Sequence, residues 1–155
     1  MARMARRYRG KSDGNYWGSF VLDWFKFLQD NDLTRSDYKV LFLLCQKIKT
    51  DDNTAYVRQK EIAEVLKMDT GNVSKSIKRL CEKQFIARCQ NGFMVNPHLF
   101  YIGMAGREEK REDFDQLLIA NGLNPRFSLD EDYKELREFS GDSKIKNKST
   151  SPLPF

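Results

Sequence analysis

The chain has 155 residues, of which 27 are Lys or Arg and 22 are Asp or Glu, and its net charge is +5. This length accommodates one ordinary domain with its own hydrophobic core. No apolar run approaches the roughly 20 residues of a membrane-spanning helix, and the basic N-terminus lacks the apolar centre of a signal peptide. We therefore expect a cytoplasmic protein with no membrane partner.

The basic residues are distributed unevenly along the chain. Residues 1–105 contain 18 basic and 11 acidic side chains, whereas residues 106–155 contain 9 and 11. A basic excess over the first two thirds favours a nucleic acid partner, because such partners are bound largely by neutralising phosphates.

Residues 1–14 are rich in arginine and glycine and cannot bury enough surface to fold alone, which predicts a flexible basic arm. Within it, Arg6 and Arg7 are candidates for contacts with a DNA backbone or minor groove. A solubilising tail explains the same composition equally well.

Residues 16–30 carry apolar side chains at the spacing of an amphipathic helix. This face is unusually aromatic, so we expect it to serve both the core and a subunit interface. Its apolar members are Trp17, Phe20, Val21, Trp24, Phe25, Phe27 and Leu28.

The next segment predicts a helix followed by a short strand. Thr34 is placed to cap a helix that ends near residue 50, and Asp37 favours its positive end. Residues 54–57 then predict a strand that pairs with a later hairpin to complete a three-stranded sheet.

Residues 58–80 predict a helix-turn-helix, in which the second helix enters the DNA major groove. The first helix has Ile62 and Leu66 on its apolar face, and either Asp69 or Thr70 caps the second helix. We expect the start of the first helix to hold phosphate and the polar face of the second helix to contact bases and phosphates. The candidate residues are Arg58, Gln59, Lys60, Thr70, Asn72, Ser74, Lys75, Lys78 and Arg79. A solvated helix face has the same polarity, so the polar face alone does not decide between these interpretations.

A predicted β-hairpin follows directly, with Asn91-Gly92 as its two-residue turn. A hairpin after a helix-turn-helix is a wing, and Arg88 and Asn91 near its tip are further candidates for DNA contact. The order helix, strand, helix, helix, hairpin is that of a winged helix.

Residues 32–103 resemble the RepL-type plasmid replication proteins of Gram-positive bacteria. The resemblance covers K-V-L-F-L-L, the helix-turn-helix and, most specifically, N-G-F-M-V-N-P-H-L-F-Y-I-G after the second helix. It implies a role in starting or maintaining plasmid replication by binding origin DNA and recruiting host replication proteins.

Nothing in the sequence favours an enzyme. His98 is the single histidine, so it lacks the second histidine of metal-dependent nicking initiators, and no phosphate-binding G-x-x-x-x-G-K-[ST] loop occurs. We expect His98 to be a packed, hydrogen-bonded ring. The three cysteines lack metal-ligand spacing, and Cys45 and Cys81 suit core positions, so we predict no metal and no cofactor.

The C-terminal part predicts two helices, over residues 107–120 with a glycine cap at Gly122 and over residues 129–139. We expect these helices to contact the N-terminal helix or to form a dimer interface, with a surface for other proteins as a further alternative. Residues 141–155 have the composition of a disordered tail.

The predicted fold is α+β, mainly α with a small β-hairpin sheet: a winged helix-turn-helix with extra N- and C-terminal helices. We divide the chain into a basic arm (1–14), a winged-helix domain (15–103), a helical extension (104–140) and a tail (141–155). The predicted function is sequence-specific binding of double-stranded DNA as a homodimer in plasmid replication. The alternatives are a plasmid or phage transcriptional regulator and a protein-interaction module.

Overall fold

The computed structural model describes residues 18–48, 52–103, 106–133 and 135–139. The predicted basic arm, including Arg6 and Arg7, and the predicted tail lie outside the described residues. The helices are α1 (Trp24–Phe27), α2 (Arg35–Gln46), α3 (Gln59–Leu66), α4 (Thr70–Glu82) and α5 (Arg107–Ala120). The strands are β1 (Gly18–Phe20), β2 (Thr54–Ala55), β3 (Ile86–Cys89), β4 (Gly92–Val95), β5 (Phe100–Ile102), β6 (Phe127–Asp130) and β7 (Glu135–Glu138).

The described residues form three small antiparallel sheets beside the helices. β2 pairs with the wing to complete a three-stranded sheet, as the sequence predicts, and the strand order is β2, β4, β3. β1 pairs with β5, and β6 pairs with β7. None of the described helices is long and apolar enough to cross a membrane.

The main core lies between α2, α3, α4 and one face of the three-stranded sheet. Leu44 of α2, Ile62 of α3 and Ile77 of α4 are fully buried there, together with Ile86 and Val95 of the sheet. Burial of each such side chain contributes about 1.5–3 kcal/mol to the hydrophobic driving force. The helix-turn-helix is therefore fixed to α2 and to the sheet by shared packing.

The predicted cap of α2 is confirmed. The Asp37 amide donates to Thr34 Oγ1 at 3.2 Å, and the Thr34 amide donates to Asp37 Oδ2 at 3.0 Å. This reciprocal capping box satisfies two amides that the first turn leaves without partners.

The predicted N-terminal helix is wrong for residues 18–23. Gly18 and Phe20 pair with Ile102 and Phe100 in β1 and β5, and only the single turn of α1 is helical. The rings of Phe20 and Phe100 lie 4.7 Å apart, and a Cβ on Gly18 would lie 2.2 Å from Phe100 Cζ. Contact with a strand far along the chain has overridden the local helical spacing.

The predicted helix over residues 107–120 is present as α5, and Gly122 has the predicted left-handed conformation, with φ of 80°. The second predicted C-terminal helix is wrong. Leu129 pairs with Leu136 across the β6–β7 hairpin, and Phe127 packs 5.1 Å from the Phe27 ring. Phe127 and Leu129 are two residues apart, which is the spacing of side chains on one face of a strand. The strand forms in place of the predicted helix because it packs the Phe127 ring against Phe27.

Candidate nucleic-acid interface

The turn between α3 and α4 has the local features of a helix-turn-helix. α3 ends at Leu66, and its C-terminal cap Lys67 has a left-handed φ of 56°. Asp69 then caps α4 by accepting a hydrogen bond from the Gly71 amide at 3.1 Å. Of the two predicted cap residues, Asp69 therefore has this role, and Thr70 is the exposed first residue of the helix.

α4 has one buried and one exposed face, as its sequence predicts. Val73, Ile77 and Leu80 are completely buried, since they face α2 and the sheet. The exposed face carries amide, hydroxyl and ammonium groups, which suit base edges and phosphates. Its predicted members that are exposed in the structure are Thr70, Asn72, Ser74, Lys75 and Lys78.

Arg79 differs from the other residues predicted on this face. Its Nη1 donates to both carboxylate oxygens of Asp37, each at 2.9 Å. Burial of Asp37 acts to raise its pKa, but hydrogen bonds from the Thr34 amide, Arg79 and Ser76 outweigh this effect and hold the pKa below its ordinary value. The guanidinium therefore connects α4 to α2, and the DNA contact predicted for Arg79 stays a prediction.

Lys83 at the C-terminal end of α4 differs from Lys75 and Lys78 on the exposed face of the helix. Lys83 donates to Asp30 Oδ2 at 2.7 Å, and this hydrogen bond holds the pKa of Asp30 below its ordinary value. Over the residues that the structure describes, neither Lys75 nor Lys78 forms a salt bridge. These two ammonium groups are therefore available to an external anion.

The start of α3 presents the predicted phosphate-binding residues. Arg58 and Lys60 are exposed, and Gln59 is half-buried. The Arg58 amide donates to Glu61 Oε1 at 2.9 Å, which satisfies one amide of the first turn and fixes the start of the helix. The guanidinium of Arg58 lies on the surface beside this cap.

The wing is present, but its turn is one residue earlier than predicted. Cys89 pairs with Gly92, so Gln90 and Asn91 are the turn residues. Asn91 has φ of 71°, whereas Gly92 belongs to β4 and does not have a positive φ. The prediction of Asn91-Gly92 as the two turn residues is thus wrong, although Arg88 and Asn91 are exposed near the tip as expected.

Gly92 has a different structural role from the one its sequence context predicts. A Cβ at this position would lie 2.3 Å from the Ala55 carbonyl oxygen and 3.1 Å from Tyr56 Cα. The missing side chain therefore lets the end of β2 approach the wing turn. Because Arg58 follows Tyr56 by two residues, this contact brings the start of α3 towards the wing.

Two residues at this surface are absent from the sequence-based candidates. Gln90 is exposed at the wing turn, and Tyr56 is 46% exposed beside it. The corrected hairpin register identifies Gln90. Strand β2 ends at residue 55 and not at the predicted residue 57, so Tyr56 lies outside the sheet. Strand propensity alone does not locate this end of the strand.

The segment after the wing is a structural connection within the fold. The Asn96 Nδ2 donates to the Gln84 carbonyl at 2.8 Å, and the Leu129 amide donates to His98 Nδ1 at 3.0 Å. His98 therefore carries its proton on Nε2, which donates to Asp115 at 3.0 Å. This bears out the packed, hydrogen-bonded histidine that the sequence predicts.

Cys45 is a buried core residue, and burial raises the pKa of its thiol to about 12. Cys81 is half-buried against the same core, and burial raises its pKa also. Within the described part of the chain, no group of His, Cys, Asp and Glu side chains could hold a metal ion.

Comparison with known families agrees with this architecture. The model of the MarR family matches residues 33–92, from the residue before the α2 cap to the first residue of β4. This segment is a winged-helix domain. The match supports a winged-helix DNA-binding class, but it ends at residue 92, before most of the segment 91–103 on which the RepL resemblance chiefly depends, and it does not support that family specifically. Neither the curated proteins nor the solved structures gave a match.

Proposed function

We propose that the protein binds double-stranded DNA sequence-specifically and regulates transcription. The observation that carries this proposal is the exposed face of α4, with two ammonium groups that form no salt bridge to any described residue, in a domain that matches the MarR family model. Asn72 and Ser74 contact base edges, since amides and hydroxyls discriminate between bases in the major groove. Lys75 and Lys78 contact bases or nearby phosphates.

The surrounding residues hold the DNA backbone. Arg58 and Lys60 bind phosphate at the start of α3, with Gln59 as an additional donor. The wing contributes Arg88, Asn91 and Gln90, a set of one cation and two amides. Each phosphate contact releases counterions, so the affinity falls as salt is added.

The protein acts as a homodimer on a repeated or palindromic site, because two copies related by a twofold axis present two α4 helices to successive turns of the duplex. The N-terminal segment supports a subunit contact. Leu22 is 74% exposed and Phe25 is 43% exposed, beside the Phe20 ring at 5.5 Å from Phe25. Adjacent exposed apolar side chains of this kind favour burial against a partner.

A role in plasmid replication has less support than regulation. It depends on the resemblance of the segment after the wing, where Asn96 and His98 form hydrogen bonds within the fold. The family model that matches the chain supports the winged-helix domain without extending to that segment.

Footprinting of the purified full chain on DNA around its own gene, with competitor DNA, tests this function. We expect a discrete protected site that overlaps a promoter, with half-sites separated by about 10 base pairs or a multiple of this spacing. Protection of repeats outside any promoter, together with loss of plasmid copying when the gene is removed, would support replication instead. A folded chain that protects no duplex at low salt would overturn the proposal and leave protein interaction as the function.

A further inference from the structure

α5 covers the face of the wing that points away from the main core. Ala87 and Met94 are cross-strand partners on that face, and both are buried against Phe114 and Leu118 of α5. Phe114 is completely buried and Leu118 is 2% exposed. An antiparallel hairpin commonly has one solvated face, so burial of both faces restrains this wing more than its strand pairing alone would.

The helix itself is held to three separate parts of the fold. Lys110 Nζ donates to the Ile102 carbonyl of β5 at 3.1 Å, and Asp115 accepts from His98 Nε2 at 3.0 Å. Arg111 Nη2 lies 3.0 Å from the Glu131 carboxylate in the β6–β7 turn. These polar contacts fix α5 to the domain, so a wing packed on α5 has a fixed direction relative to α4.

We propose that α5 positions the wing for DNA contact, with Phe114 as the positioning residue. This inference rests on the proposed DNA-binding function, and it assigns the C-terminal extension a part in binding although Phe114 itself touches no DNA. Removing the Phe114 ring releases the wing from its support. Arg88 then loses its fixed direction, while Lys75 on α4 keeps its own.

A double-mutant cycle on the full chain tests this role. Affinity for the protected DNA site is measured over a range of salt for the wild type, Arg88→Ala, Phe114→Ala and the double variant. We expect Arg88→Ala to reduce the salt slope of the wild type by about 1, as for loss of one phosphate contact. The same substitution should leave the slope of the Phe114→Ala variant unchanged.

Lys75→Ala provides the matched control. It should reduce affinity by the same factor in the wild type and in the Phe114→Ala variant, because α4 is packed against the main core and not against α5. A loss of fold would reduce both effects together, so the selective loss of the Arg88 effect distinguishes positioning from general destabilisation. If Phe114→Ala does not fold, Phe114→Leu carries the same cycle with a smaller change in volume.

Two outcomes would overturn the inference in different ways. If the Arg88 effect is equally large with and without the Phe114 ring, α5 does not position the wing, and the proposed function stands. If the wild-type chain binds no duplex, the proposed function fails and this inference fails with it.

Faster amide exchange in β3 and β4 of Phe114→Ala, with α3 and α4 unchanged, is expected in the free protein.

Discussion

Asp37 and Arg79 together join α4 to α2. Asp37 is completely buried, and its carboxylate accepts hydrogen bonds from the Arg79 guanidinium and from the Thr34 amide. Both bonds favour the ionised form, which holds the pKa below its ordinary value although burial opposes this. The pair therefore stabilises the angle between α4 and α2.

The Asp37→Asn variant should have a lower free energy of unfolding near neutral pH, by about 1–3 kcal/mol, because the charged Arg79 guanidinium then faces a neutral amide in place of its carboxylate partner. The folded-state pKa lies below the unfolded-state value of about 4. The stabilisation is therefore complete above that value and is lost as the pH falls through the folded-state pKa. Urea unfolding at several pH values should show a smaller acid-dependent loss for the variant than for the wild type.

Asp32→Asn is the matched control for this substitution. The Asp32 side chain is 78% exposed and lies 3.7 Å from Lys83, so its removal should change the free energy of unfolding by well under 1 kcal/mol. Equal effects of the two substitutions would contradict the structural role assigned to the Asp37 and Arg79 pair.

Gly92 permits close approach of backbone and is not needed for a left-handed turn. Gly92→Ala should cost about 1–3 kcal/mol, because the added Cβ would overlap the Ala55 carbonyl. Gly92→Asn should be at least as destabilising.

At Gly122, which has φ of 80° and open space around it, Asn should be better tolerated than Ala, since Asn adopts this conformation more readily. Thermal unfolding of these four variants checks the assignment, and a fully stable Gly92→Asn would contradict it.

The β6–β7 hairpin packs on the domain through the aromatic side chain of Phe127, with Leu136 also buried in the main core. Phe127 is 1% exposed, and its ring lies 5.1 Å from that of Phe27 and 6.1 Å from that of Phe85. Phe127→Ala should therefore lower the free energy of unfolding by about 3–5 kcal/mol. Tyr133→Ala in the turn, where the side chain is 74% exposed, should change it by less than about 0.5 kcal/mol. Urea unfolding compares the two variants, and a small effect of Phe127→Ala would contradict the packing described.

The elements that the sequence predicts correctly are those whose local and tertiary preferences agree. The caps at Thr34 and Asp69 lie directly before helices whose buried faces repeat at helical spacing. The errors arise where a distant partner decides the outcome. Phe20 is a strand residue because Phe100 pairs with it, and local spacing contains no information about that partner.

The same distinction applies to the candidate DNA-binding residues. Exposure on α4 follows from helical geometry, so Asn72, Lys75 and Lys78 could be predicted from the sequence. The ion pair of Arg79 could not, because Asp37 lies 42 residues earlier in the chain. The burial of the wing by α5 did have a signal in the sequence. Residues 93–95 are all apolar, and a strand that is buried on both faces lacks the alternation of apolar and polar residues.

In the whole molecule, the winged-helix domain and the C-terminal extension form one connected structure. The extension packs on the wing through α5, and the β6–β7 hairpin packs on the N-terminal aromatic residues through Phe127. The sequence-based division at residue 104 separates segments that share these contacts. The contacts that hold the wing therefore include residues well beyond the segment that matches the MarR family model.

The most direct test of the account is the equilibrium affinity of Lys75→Ala for the footprinted site over a range of salt, compared with Lys39→Ala. Lys39 lies exposed on α2, so the control removes the same charge outside the helix-turn-helix. We expect Lys75→Ala to weaken binding by about 1–3 kcal/mol if it contacts a base, or to reduce the salt slope by about 1 if it contacts phosphate only. Lys39→Ala should change neither quantity appreciably. Equal binding by Lys75→Ala and the wild type at every salt concentration would contradict the assignment of this α4 face to DNA.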